Sequence, residues 1–199
     1  MPPRAQPRGE EASITRRSWL ITLLAAPVSR SPALIVRRDG DTIRVSAPQL
    51  RFLNGKPLLQ LKDGSAVSFA MQLTLYTESI TQPLARSFDR FILSYDLWEE
   101  KFSAVRVGPP QRSASRLTLP AAEAWCLDQT IQAPESLGPQ RPFWLRLELR
   151  AEDPKELAGV IGAPGINITR LIELFAKNPG GNQPRWVASA GPLRLEDIK

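Results

Sequence analysis

Three carboxylates and a tryptophan stand together in the stretch DLWEE, at Asp96, Trp98, Glu99 and Glu100. Two carboxylates beside an aromatic ring are the side chains that many glycoside hydrolases use, one as the acid and the other as the nucleophile or base. That mechanism requires the two groups to face each other across the substrate, whereas neighbours on one short turn usually point into water. We therefore expect a solvated turn here, with a carboxylate-dependent glycan-active hydrolase as the alternative.

Trp98 has two interpretations of its own. Its residue type favours a core position, because a tryptophan side chain buries a large apolar area. The alternative is an exposed contact residue, in which case Asp96, Trp98, Glu99 and Glu100 together form a possible contact surface for a partner.

Other residue types that support catalysis are scarce. The chain has no histidine, which is the commonest general base and metal ligand, and a single cysteine, Cys126. A thiol nucleophile needs a base to ionise it, so Cys126, between Trp125 and Leu127, is predicted to be buried and unreactive. One cysteine forms neither an intramolecular disulfide nor a thiolate cluster. The sequence therefore predicts no catalytic residue, no cofactor and no metal site.

A glycine-rich segment, residues 159–165, precedes a predicted helix. Backbone amides at a helix N-terminus are able to bind phosphate. The glycine spacing matches neither the dinucleotide fingerprint nor the nucleotide-binding loop. No Lys-Ser or Lys-Thr pair follows, and no acidic residue lies about 20 positions on at the end of a second strand. We interpret the segment as a connection.

The net charge does not indicate a nucleic-acid partner. It is +6 over 199 residues, but residues 1–33 hold five of the 26 basic and two of the 20 acidic side chains. The remaining 21 basic and 18 acidic side chains give +3. A nucleic-acid-binding domain concentrates more positive charge on one face.

The N-terminal segment predicts export. Arg16 and Arg17 precede an apolar run at residues 19–26, and small residues at 31–33 follow with a possible cut after Ala33. This is the three-part order of a bacterial signal peptide. The apolar run at residues 19–28 is about half of the ~20 residues that a membrane-spanning helix needs. The alternative is an amphipathic N-terminal helix that stays on the protein.

Residues 15–20, TRRSWL, also resemble the twin-arginine export motif, so the twin-arginine and general routes both stay open. We expect residues 1 to about 33 to be absent from the mature, periplasmic protein and to pack against nothing. Residues 34–199 are then predicted to form a single domain.

Apolar and polar residues alternate over residues 67–76 and 143–150, which is typical of strands with one buried face. Shorter strands are predicted at residues 42–45, 88–95, 102–107 and near Trp186, with a hairpin connection at 96–100. Asn54-Gly55 and Asp63-Gly64 are turn signals. One helix is predicted after Thr118 and a second after Asn167 or Thr169. The predicted fold is mainly β (α+β), an antiparallel β-sandwich-like domain with two packed helices, preceded by a signal segment.

Four blocks of the sequence carry a resemblance to a known family. The first is the strand before Thr77, and the second is RFILSYD at 90–96 with the strand that follows it. The third is the alanine-rich helix after Leu119, and the fourth is WLRL at 144–147 leading to WVAS at 186–189. Together they cover most of residues 42–193 and resemble a family of short exported bacterial proteins, common in proteobacteria, defined only as a domain of unknown function. Residues 155–183 are longer than the connection usual in that family. The resemblance implies an envelope location, a mostly β fold and no established catalytic residue.

These observations favour a non-catalytic exported module that binds another envelope component, either a protein or a lipid. The glycan-active hydrolase is the first alternative. A periplasmic partner of a membrane sensor is the second, and it would need an exposed apolar patch near Trp98 or Trp186.

Overall fold

The structure, a computed structural model, describes residues 32–108, 110–152 and 183–199. Several predictions fall outside these residues. They are the export signal with Arg16 and Arg17, the glycine-rich segment at 159–165 and the helix predicted after Asn167. The described residues all belong to one compact unit.

A six-stranded antiparallel sheet organises the described part of the chain, in the order β6–β5–β4–β3–β8–β9. Its strands are β3 (Val67–Tyr76), β4 (Ala85–Asp96), β5 (Lys101–Val107), β6 (Arg112–Leu117), β8 (Phe143–Ala151) and β9 (Arg185–Leu193). The two longest apolar alternations of the sequence, β3 and β8, are direct neighbours in this sheet.

A three-stranded antiparallel sheet and two short helices complete the described fold. The small sheet has the order β1–β2–β7, from β1 (Ile35–Asp39), β2 (Thr42–Ser46) and β7 (Gln129–Gln132). The helices are α1 (Gly55–Lys62) and α2 (Leu119–Cys126). The mainly β fold with two antiparallel sheets and two helices confirms the predicted fold class.

One hydrophobic core joins the two sheets. Leu73 pairs with Leu147 and Leu75 with Leu145 in the β3–β8 register, and all four side chains are buried. The seven residues predicted to share one interior are all buried; they are Phe69, Met71, Leu73, Leu75, Phe143, Leu145 and Leu147. Ile43, Val45 and Ile131 of the small sheet belong to the same cluster. The alternation in β3 and β8 therefore assigned the core face correctly.

The opposite face of the large sheet departs from the sequence interpretation. The alternation predicted one buried and one solvated face, but the second face carries buried polar side chains; among them are Ser68, Thr74, Arg90, Glu148 and Arg150. We call this second face the polar face. Charged groups remain buried when they are paired and hydrogen-bonded, and this face is built from such pairs.

The sequence predicted α2 but did not predict α1. Thr118 caps α2 as predicted, because its side chain accepts a hydrogen bond from the backbone amide of Ala121. The turn predicted at Asn54-Gly55 is instead the start of α1, with Asn54 at the N-cap position, and Asp63-Gly64 ends the same helix. A helix of eight residues has too little apolar periodicity to be distinguished from a loop with turn residues at both ends.

Residues just before β1 contact the large sheet. Ala33 forms a parallel bridge with Ser189 of β9, and Ser189 donates its backbone N–H to the carbonyl of Pro32 at 3.2 Å. The expectation that residues up to about 33 pack against nothing is therefore wrong for Pro32 and Ala33. The described contacts of the domain begin upstream of the predicted cut.

Candidate functional site

The β4–β5 hairpin positions the residues that the sequence singled out. The strands stay in register up to the pairs Tyr95–Phe102 and Asp96–Lys101. One carboxylate oxygen of Asp96 then accepts the backbone N–H groups of Trp98, at 2.8 Å, and Glu99, at 3.0 Å. These bonds hold the turn in one conformation. Residues 96–100 are called the hairpin tip below.

The hairpin tip is strongly exposed and partly apolar. Trp98 is 97% exposed and its neighbour Leu97 is 58% exposed. The core position that the residue type favoured for Trp98 is therefore wrong, and the alternative, an exposed residue, is what the structure has. A tryptophan held in water on an ordered turn exposes a large apolar area that burial against a partner would remove.

The three carboxylates lie on this single turn, and Asp96 and Glu99 have different partners. Glu99 receives two hydrogen bonds from the guanidinium of Arg116, at 2.9 and 3.2 Å. The backbone N–H groups of Glu99 and Trp98 lower the pKa of Asp96 below its ordinary value. A general acid at neutral pH needs the opposite shift. The geometry thus gives Asp96 the role of a turn-stabilising acceptor.

Cys126 is buried, as predicted. Burial, reinforced by the negative charge of nearby Glu123, raises the pKa of its thiol far above the ordinary value, which suppresses the thiolate form. Among residues 32–108, 110–152 and 183–199, no three His, Cys, Asp or Glu side chains lie close enough to hold a metal ion.

A second candidate site lies on the polar face, which the sequence interpretation did not select. Arg86 of β4, Thr74 of β3 and Arg146 of β8 are register partners and stand side by side across three strands. Neighbouring strands are 4.7–4.9 Å apart, so the two arginine Cα atoms are about 10 Å apart with Thr74 between them. Residues at this position line a cavity of about 250 Å³; its wall includes Thr74, Ile80, Arg86, Arg146, Glu148 and Arg185. We call it the arginine cavity.

Glu148 is the one carboxylate among these lining residues, and arginines surround it. One carboxylate oxygen of Glu148 accepts hydrogen bonds from two guanidinium nitrogens of Arg150, at 2.6 and 2.7 Å. The other oxygen contacts Arg185 and lies 3.7 Å from the guanidinium of Arg146. The side chain of Glu148 is 11% exposed, so these interactions are weakly screened by water. A single negative charge is thus shared among several guanidinium groups.

Another buried pair continues the polar face beside this cluster. Arg90 donates to Glu152 at 2.7 Å, and Glu152 also accepts the hydroxyl of Ser68. Both charged side chains are less than 10% exposed. The polar face is therefore an ordered layer of charged groups, which fixes where the cavity arginines stand.

The sequence did contain a signal for this site. Arg86 and Arg90 are four residues apart on β4, and Arg146 and Arg150 repeat that spacing on β8. In a strand, residues at even spacing share one face, so each pair had to project from the same side. Only the register, which places β3 between the two pairs, shows that both pairs converge.

No helix in the described ranges has the length and apolar character that a membrane crossing would require. No family model, no curated protein and no solved structure matches this chain. Its resemblance to the exported family of unknown function therefore stays a prediction carried by the four sequence blocks alone.

Proposed function

We propose that this protein is an exported, non-catalytic domain of the bacterial envelope that binds a protein partner through its hairpin tip. The observation that carries the proposal is the 97% exposure of Trp98 on an ordered turn. Tryptophan is among the residues most enriched at the energetic centres of protein interfaces. Because the turn is already held by Asp96, binding would order few additional degrees of freedom.

The charges around Trp98 favour a protein partner over an anionic lipid surface. Residues 96–101 carry three carboxylates and one lysine, a net charge of −2, and Arg116, which pairs with Glu99, reduces this acidic excess to −1. Anionic phospholipids attract basic segments and repel acidic ones. A partner surface with an apolar pocket and a basic rim would complement the tip.

A membrane sensor is one form that this partner could take. That hypothesis required an exposed apolar patch near Trp98 or Trp186. Trp98 supplies such a patch, together with Leu97. Trp186 does not, because it packs at 6.1 Å from Phe52 and 6.2 Å from Phe69, measured between ring centroids.

The test is site-specific photo-crosslinking with the full chain in the bacterium that produces it. A photoreactive phenylalanine analogue replaces Trp98 in one variant and Ile35, a 47% exposed apolar residue of β1, in the matched control. We expect a discrete crosslinked protein in the envelope fraction from position 98 and none from position 35. With the identified partner, Trp98→Ala should weaken binding by about 30-fold or more. Crosslinking equally from both positions, or to phospholipid alone, would refute the proposal.

An activity assay tests the alternative of a glycan-active hydrolase. The purified protein and the triple variant Asp96→Asn, Glu99→Gln, Glu100→Gln are compared on peptidoglycan and other envelope glycans. Turnover by the parent that disappears in the variant would replace our proposal with the hydrolase.

Mass spectrometry of the native protein tests export. We expect an N-terminus near residue 34 in the envelope fraction, and an intact N-terminus in the cytoplasm would contradict it. Changing Arg16 and Arg17 to lysine should block export only through the twin-arginine route.

A further inference from the structure

We propose that the arginine cavity is a binding site for a phosphate monoester group, carried by a small organic molecule or by a lipid head group. This site is separate from the hairpin tip. Arg86 and Asp96 lie ten residues apart on β4, which corresponds to about 33 Å along an extended strand. The two surfaces are therefore able to act independently.

The charge of the cavity wall is unbalanced. Arg86, Arg146 and Arg185 line it against the single carboxylate of Glu148, which also receives two hydrogen bonds from Arg150. The lining groups just named thus sum to +2. Like charges that converge on one cavity repel each other, and an anion placed between them removes that repulsion. A phosphate monoester, with a charge of about −1.5 to −2 at neutral pH, matches this excess.

Arg86 has its guanidinium available for a ligand. It is exposed and forms no ion pair or hydrogen bond with any residue in the described ranges. Within the described part of the chain, Arg146 has only the 3.7 Å approach to Glu148, which is longer than a hydrogen bond, and its side chain is 34% exposed. Guanidinium groups bind phosphate oxygens through two parallel N–H donors. Two such groups therefore flank the cavity in a state ready to donate.

Thr74 adds a donor between the two arginines. Its Oγ1 accepts the side-chain amide of Gln72 at 2.9 Å, which leaves the hydroxyl proton to be donated. Thr74 is only 5% exposed, so its position is fixed by the surrounding sheet. A phosphate seated above Thr74 would meet the hydroxyl from below and one guanidinium from each side.

The dimensions of the cavity indicate that the phosphate is attached to something larger. A volume of about 250 Å³ leaves room for more than a phosphate group alone. Ile80, 39% exposed, supplies an apolar part of the wall. An organic group attached to the phosphate would fill the remaining space and contact Ile80.

The test is a calorimetric titration of the full chain at low ionic strength. Glycerol 3-phosphate is the small-molecule probe, and vesicles that contain phosphatidic acid in phosphatidylcholine are the lipid probe. Saturable binding of glycerol 3-phosphate would identify a free organic phosphate as the source. Binding only to the phosphatidic acid vesicles, and not to phosphatidylcholine alone, would identify a lipid head group. Either result supports the site, and saturation by neither probe would overturn it.

Variants tie the binding to the cavity. Arg86→Gln should weaken binding by about tenfold or more, because a charge-assisted hydrogen-bonding group is lost, and Arg86→Lys should restore part of it. The matched control is Arg37→Gln, which removes an exposed arginine from β1 of the small sheet and should leave affinity unchanged. Arg86 is exposed, so circular dichroism should show an intact fold in its variants. Equal losses in Arg86→Gln and Arg37→Gln, or acetate binding as tightly as glycerol 3-phosphate, would refute the assignment.

Discussion

Glu123 of α2 accepts a hydrogen bond at 2.8 Å from the backbone N–H of Phe52, which lies 71 positions earlier in the chain. The same carboxylate oxygen accepts the N–H of Leu53 at 3.0 Å. Phe52 in turn packs its ring edge-on against Phe69 of β3, with centroids 5.0 Å apart. One buried carboxylate therefore fixes the loop that closes the core over the large sheet.

Replacing Glu123 should destabilise the domain strongly. In Glu123→Ala, the backbone N–H groups of Phe52 and Leu53 lose their acceptor while buried, so we expect a loss of about 2–5 kcal/mol in the free energy of unfolding. Glu123→Gln keeps a carbonyl oxygen as an acceptor and should lose clearly less. Urea unfolding of both variants measures this difference. Equal stability of the alanine variant and the parent would show that the loop does not depend on this carboxylate.

Leu73 should be among the most sensitive core positions. It is 2% exposed and pairs with Leu147 in the middle of the large sheet, so Leu73→Ala should cost about 2–5 kcal/mol. Leu59→Ala makes the same chemical change at a position that is 64% exposed, and should stay within about 0.5 kcal/mol of the parent. Denaturant unfolding separates the two. A loss under about 0.5 kcal/mol for Leu73→Ala would contradict the assigned core face.

Gly191 should tolerate no side chain. Its φ is +133°, and a Cβ there would lie 2.5 Å from Cδ1 of Trp144 and 2.9 Å from the carbonyl oxygen of Phe143. We expect Gly191→Ala to cost at least about 1–3 kcal/mol, because the tryptophan or the strand must shift. Gly138→Ala is the control, since a Cβ at Gly138 meets nothing within 4 Å. Thermal unfolding midpoints should fall for the first variant only, and a comparable fall in both would argue against this packing.

The pKa values of two aspartates should be shifted in opposite directions from the ordinary value of about 3.9. Burial raises the pKa of Asp89, partly offset by Arg106, whereas hydrogen bonds from the turn lower the pKa of Asp96. Asp96 therefore stabilises the fold above the ordinary pKa, and this is lost as the pH falls through its folded value. Asp89 has the opposite sign, and its ionisation removes stability as the pH rises through its raised folded value. NMR titration of the side-chain carboxyl carbons checks both, and a shared midpoint would contradict these environments.

The strands of the large sheet were predictable where one face was apolar. In β3 and β8 the alternation is long enough to define both the strand and its core side. The short strands β1 and β7 have no such pattern, since Arg37 and Arg38 sit in one and polar residues in the other. Their strand structure comes from pairing with β2, which is a tertiary effect.

The candidate sites were predictable to different degrees. The hairpin tip was located from its turn residues, but the exposure of Trp98 was not, because residue type alone does not fix the direction of a side chain at a turn. The arginine cavity needed the strand order. Arg86 and Arg146 are 60 positions apart in sequence and become neighbours only because β3 inserts between their strands.

The bridge between Ala33 and Ser189 covers part of one edge of the large sheet. Among the described strands, β9 is the last of the large sheet, and backbone groups left unpaired at a sheet edge offer a template for another chain. The short segment at residues 32–34 pairs with the backbone of Ser189 on that edge through two hydrogen bonds of 3.2 Å. A mature form that begins at Leu34 would lose the carbonyl of Pro32 and uncover this part of the edge. A chain that keeps residues 32–34 keeps this part of the edge paired.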